Sequence, residues 1–211
     1  MVDYFYGWLM ILFASLLGSM IPGISFALVL RNTLRSSRMT GVWTAFGLAL
    51  GMSIYALIVL LGLAVLILHN PILANIIRFG GAIYLAYIGI QCLLAKHERR
   101  DAENGLPASK MIKHHAAFRM GFLTNMLNPK VILFFLALFT QFIYPGMPLV
   151  VQSIYGATVV LVEFFWFSFV AILLTHPQLN RYFQSVSCWI ERCSGVILLL
   201  ISLRLVVMHA L

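Results

Sequence analysis

Residues 4–30 contain no charged side chain. Crossing a lipid bilayer takes roughly 20 mostly apolar residues, so this opening stretch is long enough to span. Five more apolar runs follow, at about 41–68, 72–95, 120–144, 149–174 and 188–210. The composition agrees: 62% of the residues are hydrophobic and 9% charged, where a soluble domain carries about 25% charged residues. The runs are continuously apolar rather than alternating, which argues against a transmembrane barrel. The first run has Asp3 and no Lys or Arg ahead of it, and it is too long for the apolar region of a cleavable signal. The sequence therefore predicts an all-α integral membrane protein of six transmembrane helices, folded as a single membrane domain over residues 1–211.

The net charge of +8 would suit a nucleic-acid binder in a soluble chain. Its distribution excludes that reading here. Arg31, Arg35 and Arg38 fall between runs one and two, and Lys96, Arg99, Arg100, Lys110, Lys113 and Arg119 between runs three and four. Arg181 and Arg192 fall between runs five and six, and Lys130 near the start of run four, leaving only Arg78 and Arg204 for the opposite side. Positive charge marks cytoplasmic connections, so both termini are expected outside.

The one polar stretch, "KHERRDAENGLPASKMIKHH" at 96–115, divides the chain into a three-helix half at 1–95, a cytoplasmic loop at 96–119 and a second three-helix half at 120–211. An odd number of helices per half makes the halves run in opposite senses, the plan of an inverted repeat. Both halves carry a proline break in the first helix, "IPG" at 21–23 and "NPK" at 128–130, and both third helices are expected to open on Arg-x-x-Gly, "RFGG" at 78–81 and "RCSG" at 192–195. Run boundaries put Pro22 and Pro129 at similar depths from the cytoplasmic end, whereas strict inversion asks for mirrored depths. Gly41, Gly47 and Gly51 in run two, and Gly80, Gly81 and Gly89 in run three, are expected to let helix backbones approach closely.

The breaks are the candidate site. Pro22 has no N–H for the carbonyl of Gly18, and in lipid that carbonyl must face protein, water or ligand. The chain after it restarts as a half-helix whose first N–H groups, around Gly23, Ile24 and Ser25, carry the positive end of a helix dipole and suit a carboxylate. The freed carbonyl suits an ammonium, so one break answers both ends of a zwitterion. The second break repeats the device: Asn128 is a good N-cap, Pro129 a good first helical residue, and Pro129 frees the carbonyl of Asn125 if the helix continues backwards. Lys130 either draws a substrate carboxylate or anchors the helix at the interface.

These residues carry a family resemblance. "IPGISFALVLRNTLRSSRMTGVWTAFGLALG", "RFGGAIYLAYIG" and "FRMGFLTNMLNPKVILFFLALFTQF" resemble the amino-acid exporters of the lysine exporter and homoserine/threonine resistance family, over nearly the whole chain. The resemblance implies a multi-pass protein of the bacterial cytoplasmic (inner) membrane, six helices in two inverted halves, and secondary active export of amino acids driven by a proton or ion gradient. Many members follow the first-helix glycine with proline, where this chain has Ile24, and many place an acid after the second-helix glycine, where it has Met52. The second departure counts against a charge-coupling role for helix two and against a cationic substrate.

Glu163, in "VVLVEFFWFSF", is the one acid placed within a helix core. A charge there costs roughly 2.5–3.5 kcal/mol on insertion scales, so it needs a partner or a function. Three are open: proton coupling, binding the substrate ammonium, or a structural bond to Ser168, Gln141 or the first break. The aromatics beside it, Phe164, Phe165, Trp166 and Phe167, favour a neutral or apolar substrate side chain. A metal-ion or other small-solute transporter is the alternative, and an intramembrane enzyme ranks below it. His69, His97, His114, His115, His176 and His209 fall at helix ends or loops with no acid at a metal-ligand spacing. Cys92, Cys188 and Cys193 are too scattered for a disulfide framework and read as small apolar fillers. No cofactor, metal or catalytic residue is expected. The expected partners are an amino-acid substrate and membrane lipid, no nucleic acid, and a second copy of the chain where small-residue faces are exposed.

Overall fold

The computed structural model describes residues 4–58, 71–94, 111–144, 146–173, 189 and 192–203. Among them every regular element is helical. In chain order these are α1 (Tyr4–Met20), α2 (Ile24–Arg35), α3 (Arg38–Ile58), α4 (Pro71–Leu94), α5 (His114–Met126), α6 (Pro129–Phe142), α7 (Leu149–Leu173) and α8 (Arg192–Leu203).

α3 and α7 are each long and apolar enough to cross a membrane alone. The pairs α1/α2 and α5/α6 each meet the same test as one span bent by 59° at a short break. The segment Phe79–Leu94 of α4, and α8, are shorter apolar helices. Run one thus continues to Arg35 rather than residue 30, so Arg31 and Arg35 ride on α2 and Arg38 opens α3. Arg192 is the first residue of α8 as described, at the Arg-x-x-Gly stretch 192–195. Run four begins earlier than expected, at His114. This removes the depth conflict between the breaks. The first lies 12 residues from the end of its bent pair and the second 13 residues from the start of its own. Breaks so near the middle of a span occupy nearly the same depth when inverted.

Another expectation needs correction. α4 starts at Pro71, well before Arg78, so Arg-x-x-Gly does not open that helix. The polar stretch at 96–115 falls largely outside the described residues, as do residues 59–70 of run two.

Local chemistry explains several boundaries. The Ser37 hydroxyl accepts the Thr40 N–H at 3.2 Å and so caps the start of α3. Asn128 caps α6 with Pro129 in the first helical position. Gly146 turns the chain between α6 and α7 at φ +83, a backbone that residues with a Cβ rarely adopt.

Packing centres on α3, which lies most extensively against α5 and then α7. Lipid tails are as apolar as leucine, so close fit rather than water exclusion holds such helices together. A Cβ on Gly47 would strike the Phe118 carbonyl, one on Gly121 would strike the Thr44 carbonyl, and one on Gly51 would stand 3.0 Å from Asn125 Cβ. Gly81 meets Ala137 of α6, and Gly89 meets Gly195 of α8. Gly80 is the exception: among the described residues nothing stands within 4 Å of where its Cβ would be. One buried cluster includes Ile11, Met52, Leu85, Phe135, Phe139 and Leu198. A smaller one joins Phe26, Val29, Leu48 and Phe167.

Two described basic segments meet at one end. The Ile112 N–H donates to Ser36 Oγ at 2.9 Å, tying the Arg35–Arg38 connection to the segment that carries Lys113. At the start of α1 the Tyr4 carbonyl accepts the Tyr155 hydroxyl at 2.7 Å, and the Trp8 indole donates to Thr158 Oγ1 at 2.9 Å. Neither α1 nor residues 146–158 carry Lys or Arg.

Candidate functional site

The first break occupies Ile21, Pro22 and Gly23. The Ile21 N–H goes to the Leu17 carbonyl at 3.2 Å. Pro22 has no N–H, so neither residue supplies a helical donor to Gly18 O. Gly18 itself packs on α6, where a Cβ would stand 2.6 Å from the Phe134 ring. Gly23 is the extended N-cap of α2 and supplies no side-chain cap. The first bond of α2 runs from the Ala27 N–H to Gly23 O at 2.9 Å, which leaves the Ile24 and Ser25 N–H groups ahead of it in the uncapped first turn. Ser25 is buried while Ile24 turns outward.

The second break follows Met126. Asn128 Oδ1 accepts the Lys130 N–H at 3.1 Å, the N-cap expected of it. The carbonyl of Asn125 differs from expectation. It accepts the Asn128 N–H at 3.1 Å and also serves the Leu127 N–H, so it is not left free for a ligand. The chain tightens into an i→i+3 turn at its end, and that turn supplies the donor which Pro129 lacks. The Met126 carbonyl is taken as well, by the Tyr55 hydroxyl of α3. Asn125 and Asn128 are both buried against neighbouring helices, while Leu127 between them is exposed.

The two breaks meet. Lys130 Nζ lies 3.9 Å from the point where a Cβ of Gly23 would stand. Its main-chain carbonyl accepts the Tyr84 hydroxyl at 3.4 Å. An ammonium beside an uncapped helix N-terminus places two positive features at one spot, which suits a carboxylate.

Glu163 is buried on α7. Its partner is none of the three expected. Asn125 Nδ2 donates to its Oε1 at 3.1 Å and to its Oε2 at 3.3 Å, and the same nitrogen donates to the Leu48 carbonyl of α3 at 2.6 Å. Asn125 Oδ1 and Ser168 Oγ are buried with no hydrogen-bond partner among the described residues. The four aromatics after Glu163 spread round the helix: Phe165 is exposed on the outer face, while Phe167 is buried in the smaller cluster. They do not line one site together.

The interior thus holds Gly23, Lys130 and Asn128 on one side of the second break, and Asn125 with Glu163 on the other. Two contributors were missed in the sequence. Tyr55 holds the break through a contact no local pattern announces. Asn32, fully buried, donates to Thr44 Oγ1 at 3.0 Å, and Thr44 Oγ1 donates on to the Thr40 carbonyl at 2.9 Å. The polar triplet Arg31, Asn32, Thr33 carried the signal, but it falls where the run boundaries predict a loop. Among the described residues no three His, Cys, Asp or Glu side chains gather as a metal set. Cys92 is buried and Cys193 exposed, both as free thiols.

The family model described as LysE type translocator matches residues 16–209. The chain is 30% identical to the threonine efflux protein of Salmonella typhimurium over 178 residues, 84% of this chain and 86% of that one. It is 29% identical to the threonine efflux protein of Escherichia coli K12 over 178 residues, with the same coverage of 84% and 86%. It is 32% identical to the uncharacterized membrane protein YrhP of Bacillus subtilis over 187 residues, 84% and 88% of the two chains. No solved structure matches.

Proposed function

The chain belongs to the LysE type translocator family, and from that premise we propose that it exports a small neutral amino acid, threonine or one close to it, from the bacterial cytoplasm in exchange for protons. It is a multi-pass membrane transporter, not an enzyme. The observation that carries the proposal is Lys130 Nζ set against the uncapped first turn of α2 at Gly23. The substrate carboxylate lies between them, with Ser25 and Asn128 alongside. The ammonium turns towards Gly18 O at the first break. Glu163, buried beyond Asn125, takes the coupling proton from outside and releases it inside while substrate moves the other way. The frame is six spans in two inverted halves, 1–95 and 120–211, in the inner membrane with both termini periplasmic.

The relatives named threonine efflux proteins support the substrate class, and the absence of a second acid beside Glu163 among the described residues favours a neutral side chain. The test feeds a panel of amino acids as dipeptides to an exporter-deficient bacterium with and without this protein. The expected result is faster appearance of threonine-like amino acids in the medium, abolished when the proton gradient is collapsed. Equal rates across the panel with and without the protein defeat the proposal.

A further inference from the structure

Asn125 is fully buried and bonds to both α3 and α7 from its place on α5. Its side-chain nitrogen has two hydrogens and faces three acceptors: Leu48 O on α3 and both carboxylate oxygens of Glu163 on α7. Its side-chain oxygen, equally buried, has no donor among the described residues. Its main-chain oxygen holds the turn into the second break through the Asn128 N–H at 3.1 Å. We propose that Asn125 is the positioning residue that passes the protonation state of Glu163 to the second helix break. This rests on the reading of Glu163 as the coupling group.

The argument is a count of donors. With Glu163 ionised, the opposite amide orientation would set Oδ1 against three acceptor oxygens, so the observed orientation is the only one that bonds. In it one nitrogen ties α3, α5 and α7 together. A proton on Glu163 supplies the missing donor, and the acceptor waiting for it is the unpartnered Asn125 Oδ1. Meeting that donor turns Oδ1 towards Glu163 and takes Nδ2 away from Leu48 O. The tie to α3 is then released at the residue whose main chain starts the turn at 125–128. Lys130 is held in its turn by Asn128 Oδ1 at 3.1 Å, so the movement reaches the ammonium beside Gly23.

Among the described residues no other charge competes for this role. α7 packs against α1, α2 and α3. Their charged and titratable groups in the described residues are Tyr4 and Tyr6 on α1, Arg31 and Arg35 on α2, and Arg38 and Tyr55 on α3; α5 adds His114, His115 and Arg119. None of them bonds or ion-pairs with Glu163, whose hydrogen-bond partner is Asn125.

The experiment places a nitroxide on Leu127→Cys, in the break and exposed, in full-length protein with Cys92, Cys188 and Cys193 replaced by serine, reconstituted in lipid nanodiscs without substrate. The spectrum is compared between acid and alkaline buffer. A mobility change is expected in the parent, lost in Glu163→Gln and in Asn125→Leu, and regained in the swap Asn125→Asp with Glu163→Gln, which keeps one carboxyl and one amide in the pair. The swap also separates loss of the pair from loss of the fold. A parent spectrum insensitive to pH overturns the proposal. So does a change that survives in Asn125→Leu, or a swap as insensitive as the single variants. A change that survives only in Glu163→Gln assigns the titration elsewhere and also overturns it. Because no substrate is present, failure of the export reading leaves this spectrum untouched, and the two failures are told apart.

Discussion

Lys130 stands half-buried beside Gly23, and a lysine that only anchors a helix needs charge but no particular shape. Lys130→Arg keeps the charge and changes the shape, so it separates the two roles. A site residue loses a charge-assisted hydrogen bond worth about 1.5–3 kcal/mol when truncated. For Lys130→Ala that predicts a rise of about ten- to a hundredfold in the substrate concentration giving half-maximal export, measured in inverted vesicles. Lys130→Arg should fall between the parent and alanine; export equal to the parent's would make Lys130 an anchor. Glu163→Gln retains size and the bond from Asn125 while removing ionisation. Gradient-driven export should then drop sharply, while exchange of internal for external substrate continues. If exchange falls equally, Glu163 holds the ammonium rather than the proton, and unchanged export with an unchanged pH profile makes it structural. Neither role was readable from composition. That Glu163 needed a partner followed from the cost of a buried charge. That the partner is Asn125, 38 residues away, depends on how α5 and α7 both lean on α3.

At the scale of the helices, what was legible is what is local. Pro22 and Gly23 end one helix and start the next because a proline lacks its N–H and a glycine is well tolerated as the extended N-cap residue. Asn128 and Pro129 do the same from the other direction. Both rules act within a few residues, so the sequence located both breaks. It misjudged the ends of run one and run four because arginine and histidine there look like loop residues, whereas helix ends at a membrane face tolerate them. It misjudged Gly80 for a related reason: glycine spacing marks a packing face only when a partner helix is present on it, and here none among the described residues is within 4 Å. Pro22→Ala should return a donor to Gly18 O and reduce the 59° bend of the first pair. The protein should insert and stay folded, with export reduced to near background in the dipeptide assay; normal export would place the substrate elsewhere. Gly47→Leu should be far more damaging to the fold, because its side chain meets the Phe118 backbone. Overpacking of that kind costs about 1–3 kcal/mol or more. Gly80→Leu, with no described residue within 4 Å of its Cβ, should be neutral in the same thermal denaturation measurement in detergent.

For the whole molecule, the two bent pairs share a 59° angle and their breaks lie near the middle of each pair, which is what the proposed inverted halves require. Orientation follows from charge. The Ser36–Ile112 hydrogen bond brings Arg35, Arg38 and Lys113 to one end of the bundle, and the Tyr155–Tyr4 bond joins α1 to the start of α7 at an end where neither α1 nor residues 146–158 carry Lys or Arg. The proposed orientation, with both termini periplasmic, rests on the biosynthetic preference for retaining positive charge on the cytoplasmic side. Met111, 74% exposed, belongs to the basic end, and Leu149, 64% exposed, opens α7 at the other. With the three native cysteines replaced, a cysteine at Leu149 should react promptly with a membrane-impermeant maleimide in intact cells, and one at Met111 should not react until the membrane is permeabilised. The reverse pattern would invert the orientation and turn the Lys130 end of the second break towards the other compartment. Labelling of both sites in intact cells would mean that an odd number of spans does not separate them, so that α5 and α6 form a re-entrant pair rather than one bent span, and the six-span count would fall with it.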